Sequence, residues 1–183
     1  MIYVFLANGF EEVEAITVVD LFRRAEMQVK TVSLMEDKTV YGSKGIGIEA
    51  DVLFGGVDWE HCTMMVLPGG MPGTVNLCNH YDFNNKLKAY DERGGLIAAI
   101  CAAPMVLGKA GILGGHRATI YDGMEAELLN AEYTGEDVTV SGNIVTGRGP
   151  GLAMDFALKL IELVKGREKM EEVRAGLLYE KEL

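Results

Sequence analysis

The chain has 183 residues, a net charge of −10 and a hydrophobic fraction of 49%. This length fits a single domain over residues 1–183, and the acidic balance argues against nucleic acid as a partner because phosphate backbones are repelled. No apolar run approaches the roughly 20 residues needed to cross a bilayer, and the acidic N-terminal region does not suit a signal peptide. Three cysteines without CxxC spacing favour reduced thiols and a cytoplasmic location.

Apolar runs of strand length alternate with helical patterns along the chain. The first half predicts strands at Ile2–Leu6, Gln28–Leu34 and Thr63–Leu67, helices at Glu11–Ala25 and Tyr81–Arg93, and short strands or a hairpin within Lys38–Leu53. The second half predicts strands at Leu96–Ile100 and Arg117–Tyr121, helices at Pro104–Ala110, Met124–Leu129 and Leu152–Val164, a hairpin of Val138–Val140 with Ile144–Thr146, and a loosely packed terminal helix and tail over Gly166–Leu183. This alternation predicts an α/β fold with a mainly parallel sheet and helices on both faces.

Ligands of such sheets bind outside the carboxyl ends of the strands. Three predicted carboxyl ends carry unusual residues, in the segments Ala7–Glu14, Leu67–Gly73 and Ile100–Pro104. We therefore expect the functional site where these segments meet.

Cys101 ends one predicted strand and begins a turn into a short helix, as the nucleophile does in a hydrolase elbow. Backbone N–H groups at the start of that helix are expected to lower the pKa of the thiol. The alternative is that Cys101 is a small buried hydrophobe, the usual role of a free cysteine. Cys62 and Cys78 are expected to be structural.

Glu14 lies at the edge of the apolar stripe that Val18 and Phe22 continue. That position turns it partly toward the interior, where burial raises the pKa of a carboxyl and suits it to proton transfer. The alternative is that Glu11, Glu12 and Glu14 are first-turn acids that favour the helix dipole.

Two glycine-rich loops are further candidates. Gly69 and Gly70 would let backbone amides approach a substrate oxygen, or they form a tight turn only. The loop Gly147–Gly151 precedes a helix and is a candidate anion site, but it is neither a G-x-G-x-x-G fingerprint nor a P-loop, so no nucleotide cofactor is predicted. The close His and Cys pairs supply no familiar metal spacing, so no metal is predicted either.

Four motifs together resemble the ThiJ/PfpI superfamily, near its Parkinson-disease-protein-like branch. They are Gly9–Ala15, Val66–Gly70, Ala98–Pro104 and Thr146–Gly151, in family order across nearly the whole chain. The resemblance implies a flavodoxin-like three-layer sandwich with a nucleophile elbow, usually as a homodimer. It also implies that Cys101 is the nucleophile, that a protonated Glu14 hydrogen-bonds its thiolate, and that Gly70 and Ala102 supply backbone amides to an oxyanion or an oxidised sulfur.

The chain departs from that family at two positions. Tyr121 stands where glyoxalase and deglycase members often carry a histidine, and it is a candidate for the pocket wall. Ala102 stands where the protease-like branch has a histidine directly after the cysteine. His116 begins the predicted strand that ends at Tyr121, so it is expected at the opposite edge of the sheet. A Cys–His dyad therefore lacks an obvious base, which disfavours peptidase activity.

Three functions follow as alternatives. The first is an enzyme of the glyoxalase or deglycase type, acting on small reactive carbonyls. The second is a non-enzymatic redox sensor or chaperone of the oxidative-stress response, in which peroxide oxidises Cys101 to a sulfinate. The third is an intracellular cysteine peptidase or amidase of the PfpI type.

Overall fold

A seven-stranded sheet lies at the centre of the molecule in a computed structural model that describes residues 1–181. The strand order is β10-β11-β7-β6-β1-β2-β5, and every neighbouring pair is parallel except β10 with β11. The strands of this sheet are β1 (Ile2–Leu6), β2 (Val29–Ser33), β5 (Val52–Leu53), β6 (Met64–Leu67), β7 (Leu96–Ile100), β10 (Val138–Ser141) and β11 (Ile144–Gly147).

Two short ribbons stand outside the central sheet. Within residues 38–53, where short strands or a hairpin were predicted, β3 (Thr39–Tyr41) and β4 (Gly47–Glu49) form an antiparallel hairpin. The other ribbon pairs β8 (Arg117–Ala118) with β9 (Glu132–Tyr133) in parallel.

Six α-helices within residues 1–181 cover both faces of the sheet. They are α1 (Glu12–Arg24), α2 (Gly73–Asn79), α3 (Tyr81–Glu92), α4 (Pro104–Ala110), α5 (Ala153–Lys165) and α6 (Arg167–Gly176), with 3₁₀ turns at Phe54–Gly56, Glu125–Glu127 and Pro150–Leu152. One core cluster joins α1, α5 and α6 to one sheet face, and a second joins α2, α3 and α4 to the other. The predicted flavodoxin-like three-layer sandwich is confirmed.

The period of two along β1 explains how one strand serves both cores. Val4 and Leu6 belong to the cluster of α1 and α5, whereas Tyr3 and Phe5 belong to the cluster of α3 and α4. Because both faces are covered, the strand is apolar throughout, which is the pattern of a central parallel strand.

Several predicted elements were wrong in extent. The expected strand Arg117–Tyr121 pairs only over its first two residues, since the chain then turns away. The segment Met124–Leu129 forms one 3₁₀ turn instead of an α-helix, and α2 was missed.

The terminal segment was expected to pack loosely, but α6 buries Met170 and Val173 against α5. Residues 182 and 183, which the predicted tail included, lie outside the described part of the chain.

Candidate active site

The turn between β7 and α4 holds Cys101 in a strained backbone conformation. Its φ of +62° lies in the left-handed region, which non-glycine residues rarely adopt. The Cys101 N–H donates to the Gly147 carbonyl at 2.8 Å, and the Tyr121 N–H donates to the Cys101 carbonyl at 3.0 Å. The end of β11 and the segment at Tyr121 thus hold the elbow through two hydrogen bonds, which compensates for the strain.

The loop after β6 approaches the elbow closely because it is built of glycine. A Cβ on Gly69 would lie 2.8 Å from the Cys101 Cβ and 2.9 Å from the Ala102 nitrogen. Gly70 has a φ of +91°, and a side chain there would run into the backbone between Gly9 and Glu11. Glycine at both positions lets the Gly70 amide, together with that of Ala102, reach the sulfur of Cys101.

Glu14 lies beneath the cysteine on the first turn of α1 and is completely buried. Its Oε2 accepts a hydrogen bond of 2.7 Å from the Gly69 N–H, and its carboxyl also contacts the Cys101 thiol. Burial raises the pKa of Glu14 from the ordinary 4.5 to about 7, against the effect of those two contacts. The expectation of an inward-facing carboxyl with a raised pKa is confirmed.

The Cys101 thiol does not show the lowered pKa that the sequence predicted. Burial, followed by the nearby Glu14 carboxylate, raises its pKa to about 12, while the amides of Ala102 and Gly70 act in the opposite direction. The residue is only 9% exposed. A protonated Glu14 carries no negative charge, so it does not oppose a thiolate on Cys101. Ionisation of the thiol therefore depends on which of the two residues holds the shared proton.

An open cavity of about 530 Å³ lies above the cysteine at the carboxyl edge of the sheet. Cys101, Ala102, Gly70 and Tyr121 line it, together with Met71, Met124 and Pro150. A neighbouring cavity of about 270 Å³ is lined by Arg148 and the loop that follows it. The arrangement places a thiol, two backbone amides and a buried acid at the floor of a space that fits a small molecule.

Residues 1–163 match the model of the DJ-1/PfpI family. The chain belongs to the DJ-1/PfpI family. It is 40% identical over 177 residues to protein dj-1beta of Drosophila melanogaster, a match that covers 96% of this chain and 95% of the relative. It is 32% identical over 173 residues to a protein of Caenorhabditis elegans named glutathione-independent glyoxalase DJR-1.2, covering 93% and 91% of the two chains. The solved structure of oxidized Toxoplasma gondii DJ-1 superimposes with a TM-score of 0.94 at 36% identity, covering 98% of each chain.

These matches confirm the resemblance drawn from the four motifs. The structure of this DJ-1/PfpI chain brings together Cys101, Glu14, Gly70, Ala102 and Tyr121 at one edge of the sheet. His116 lies at the other edge, as expected, because its Nδ1 is 2.9 Å from the Ser141 carbonyl oxygen at the amino end of β11. Cys62 and Cys78 also lie away from the cavity lining.

Sequence reasoning missed Lys44 and Asp122, which also line the cavity. Lys44 is carried there by a turn whose Lys44 N–H donates to the buried Glu12 carboxylate at 2.8 Å, a contact between distant positions that no local pattern predicts. Arg148, in the loop considered as an anion site, forms a bidentate pair with Asp122. The only sequence signal for Arg148 was that it is a charged residue in a glycine-rich loop.

Among residues 1–181, no group of three or more His, Cys, Asp or Glu side chains is arranged to hold a metal ion. No helix in that range is both long and apolar enough to cross a membrane.

Proposed function

We propose that this DJ-1/PfpI-family protein converts small reactive carbonyl compounds, such as 2-oxoaldehydes, with Cys101 as the nucleophile. The observation that carries the proposal is the position of the Cys101 sulfur, at the floor of a cavity, between a buried carboxyl and the amides of Gly70 and Ala102. Those groups match the needs of addition to a carbonyl: a nucleophile, donors for the oxygen that becomes negative, and a proton carrier.

The reaction begins with transfer of the Cys101 thiol proton to the adjacent Glu14 carboxylate, which leaves Glu14 protonated and Cys101 ionised. The sulfur attacks the aldehyde carbon, and the electron pair of the C=O bond moves onto oxygen, where the Gly70 and Ala102 amides donate hydrogen bonds to it. Glu14 then gives its proton to that oxygen, which leaves a neutral hemithioacetal and a carboxylate. Its raised pKa near 7 suits Glu14 to both giving and taking a proton at neutral pH.

The carboxylate next removes the hydrogen on the former aldehyde carbon and returns it to the neighbouring carbon, while a proton passes between the two oxygens. The hemithioacetal thereby becomes a thioester of a 2-hydroxy acid. Water hydrolyses the thioester, releases the acid and restores the thiol. The net change is the addition of one water molecule, so the sequence needs no external oxidant, reductant or cofactor.

The name of the Caenorhabditis elegans relative as a glutathione-independent glyoxalase supports this choice, since the two chains are alike over 93% of the present one. Tyr121 forms part of the cavity wall in place of a histidine, so Glu14 alone is assigned the proton transfers. A cytoplasmic homodimer is part of the proposal. Val13 and Ile16, which are exposed apolar residues of α1, are candidates for the contact between the two copies.

Oxidative-stress sensing through Cys101 is the second candidate. It is favoured by the same two amides, which would hydrogen-bond the oxygens of a sulfinate as readily as a substrate oxygen. Peptidase activity is given less weight because the cavity lining contains no histidine within residues 1–181.

Turnover of methylglyoxal to lactate tests the first candidate. The wild-type protein should produce lactate without added glutathione, and Cys101→Ser should lose at least about 100-fold of kcat/KM because the nucleophile is gone. Cys78→Ser is the matched control, since Cys78 lies outside the cavity lining, and it should retain turnover within about twofold. Lactate production by Cys101→Ser at the wild-type rate would overturn the proposal, and cleavage of an unfolded protein that requires Cys101 would favour the peptidase.

A further inference from the structure

The cavity above Cys101 and the cavity beside Arg148 are two parts of one cleft. They share the wall residues Tyr121, Asp122 and Pro150. A molecule bound to Cys101 therefore lies close to the charged groups of both compartments. We refer to the combined space as the cleft.

The four strongly charged side chains that line the cleft form two ion pairs. Lys44 Nζ lies 3.9 Å from the Glu11 carboxylate, which also accepts a hydrogen bond of 3.1 Å from Ser43. The Arg148 guanidinium donates to both oxygens of Asp122, at 2.7 and 2.8 Å. Each cation of the cleft thus has one carboxylate partner, and the cleft holds no surplus positive charge.

The Asp122–Arg148 pair is fixed in place from the arginine side. The Arg148 N–H donates to the Asp137 carbonyl at 3.0 Å, which ties the residue to the end of β10. Nε and Nη2 of the guanidinium donate to Asp122, and Nη1 lies 3.5 Å from the Gly135 carbonyl oxygen, so an incoming carboxylate would have to displace Asp122 to form a bidentate pair. Glu14, beneath the cleft, adds a further negative charge whenever it is ionised.

We propose that Asp122 and Glu11 are specificity-determining residues, which occupy Arg148 and Lys44 so that the cleft selects uncharged over carboxylate-bearing compounds at Cys101. As an account of substrate choice, the inference rests on the proposed function and restricts its substrates to neutral 2-oxoaldehydes, excluding those that bear a carboxylate. The part of the inference that concerns charge in the cleft does not depend on catalysis. Removal of either carboxylate frees a cation and makes the cleft attractive to anions.

Iodoacetamide and iodoacetate test this directly, because they share one electrophilic carbon and differ by one negative charge. The rate constants of both reagents with Cys101 are measured by mass spectrometry of the labelled peptide, and their ratio is compared between variants. Any change in the ionisation of the thiol affects both reagents equally and cancels in the ratio. Asp122→Asn is expected to lower the iodoacetamide-to-iodoacetate ratio about three- to tenfold at low ionic strength, and the change should shrink in about 0.5 M salt.

Three further variants separate the charge effect from a structural one. The double variant Asp122→Asn with Arg148→Gln should restore the wild-type ratio, because it removes the freed cation as well. Glu11→Gln should lower the ratio as Asp122→Asn does, by a smaller factor, since Lys44 is the more exposed cation. Asp20→Asn is the matched control, as it breaks the exposed Asp20–Arg24 pair near the other end of α1 and should leave the ratio unchanged.

The inference is overturned if Asp122→Asn leaves the ratio unchanged, or if the double variant keeps the altered ratio. Its failure is distinguishable from failure of the proposed function, because labelling requires only a reactive Cys101. Absence of methylglyoxal turnover in every variant would remove the enzymatic proposal and leave the labelling ratios to decide this one. If turnover is present, Asp122→Asn should also gain activity on 4,5-dioxovalerate, a 2-oxoaldehyde that bears a carboxylate, relative to methylglyoxal.

Discussion

Cys101 and Glu14 lie against each other in a buried part of the site. The cysteine is 9% exposed and the glutamate is fully buried, so a negative charge on one opposes a negative charge on the other. Their ionisation is therefore a property of the pair, and a single substitution changes the behaviour of both.

The raised pKa of Glu14 has a direct consequence for stability. The folded protein holds this proton up to about pH 7, whereas the unfolded chain releases it near 4.5. The carboxyl therefore favours the folded state fully below pH 4.5, and this contribution is lost as the pH rises toward 7. For a shift of this size the loss is roughly 3 kcal/mol.

Glu14→Gln should accordingly lose the part of the pH dependence that this group causes. At each pH, the unfolding free energy of wild type is subtracted from that of the variant. This difference should be larger at pH 8 than at pH 5 by roughly 2–3 kcal/mol. Urea denaturation of both proteins at the two pH values measures it, and the glutamine oxygen still accepts the hydrogen bond from Gly69. Parallel profiles for the two proteins would show that Glu14 titrates normally.

The identity of these two residues could be predicted from sequence, but the pKa of Cys101 could not. The turn after an apolar strand located the thiol, and the helical spacing of Glu14 turned it inward. The raised pKa of the thiol comes from its burial and from the adjacent Glu14, which lies far away along the chain. The local sequence indicates the helix-start amides, which lower the pKa of the thiol. It does not indicate the burial, which raises that pKa by more.

At the scale of elements, the site depends on neighbouring strands that end at the same level. Leu67 of β6 pairs with Ala99 of β7, so the glycine loop and the elbow leave the sheet side by side. The sequence predicted both strands because each is short, apolar and followed by turn residues. It missed α2 (Gly73–Asn79), which follows a loop rich in Pro and Gly and itself begins with a glycine, so its start resembles a continuation of the loop.

The strand predicted at Arg117–Tyr121 failed for a different reason. Ala118 and Ile120 are buried, yet after Ala118 the backbone turns so that the Tyr121 N–H can donate to the Cys101 carbonyl. A hydrogen bond at the functional site thus replaces a pairing in the sheet, and only the folded chain provides the partner.

Gly70→Ala tests how strictly the glycine loop is required. The substitution places a Cβ at a φ of +91°, against the backbone of Gly9–Glu11, and should cost about 2 kcal/mol or more of unfolding free energy. Methylglyoxal turnover should fall as well, since the loop that bears the Gly70 amide must shift. Gly55→Ala is the matched control because a Cβ there meets no atom within 4 Å. Equal urea midpoints for the two variants would contradict the account.

At the scale of the whole molecule, the central sheet separates the three cysteines. Cys101 belongs to the core cluster beneath α1 and α5, whereas Cys62 is buried in the opposite cluster and Cys78 packs against that cluster. Cys62 also lies at the amino edge of the sheet, since the neighbouring His61 carbonyl accepts a hydrogen bond of 2.8 Å from the chain's N-terminal amine. The cysteine of the site therefore faces a cavity to which the other two do not contribute.

The fold class could be read from the alternation of strands and helices, whereas the docking of the terminal helix could not. Most of α6 is charged, and its packing depends on Met170 and Val173, with Tyr179 beyond it donating to the buried Asp155 at 2.7 Å. Two apolar residues in a charged segment resemble a solvated helix until the surface of α5 is known.

The separation of the cysteines predicts the product of mild oxidation. The Cys101 thiolate gives an oxygen-bearing sulfenate with one molecule of peroxide, and each peroxide consumed releases one water molecule. A disulfide would need a second cysteine with its Cα within roughly 4.4–6.8 Å, and the sheet places Cys62 and Cys78 on its other side. Without a resolving thiol, a second peroxide should convert the sulfenate to a sulfinate, whose oxygens can accept hydrogen bonds from the Gly70 and Ala102 amides and from a protonated Glu14.

Peptide mass spectrometry after peroxide treatment should therefore find a two-oxygen adduct on Cys101 before comparable oxidation of Cys62 or Cys78, with the ten methionines distinguished by fragmentation. Glu14→Leu should accumulate less of this product, because it removes the carboxyl donor. A Cys78–Cys101 disulfide as the main product would contradict the separation and indicate a thiol switch.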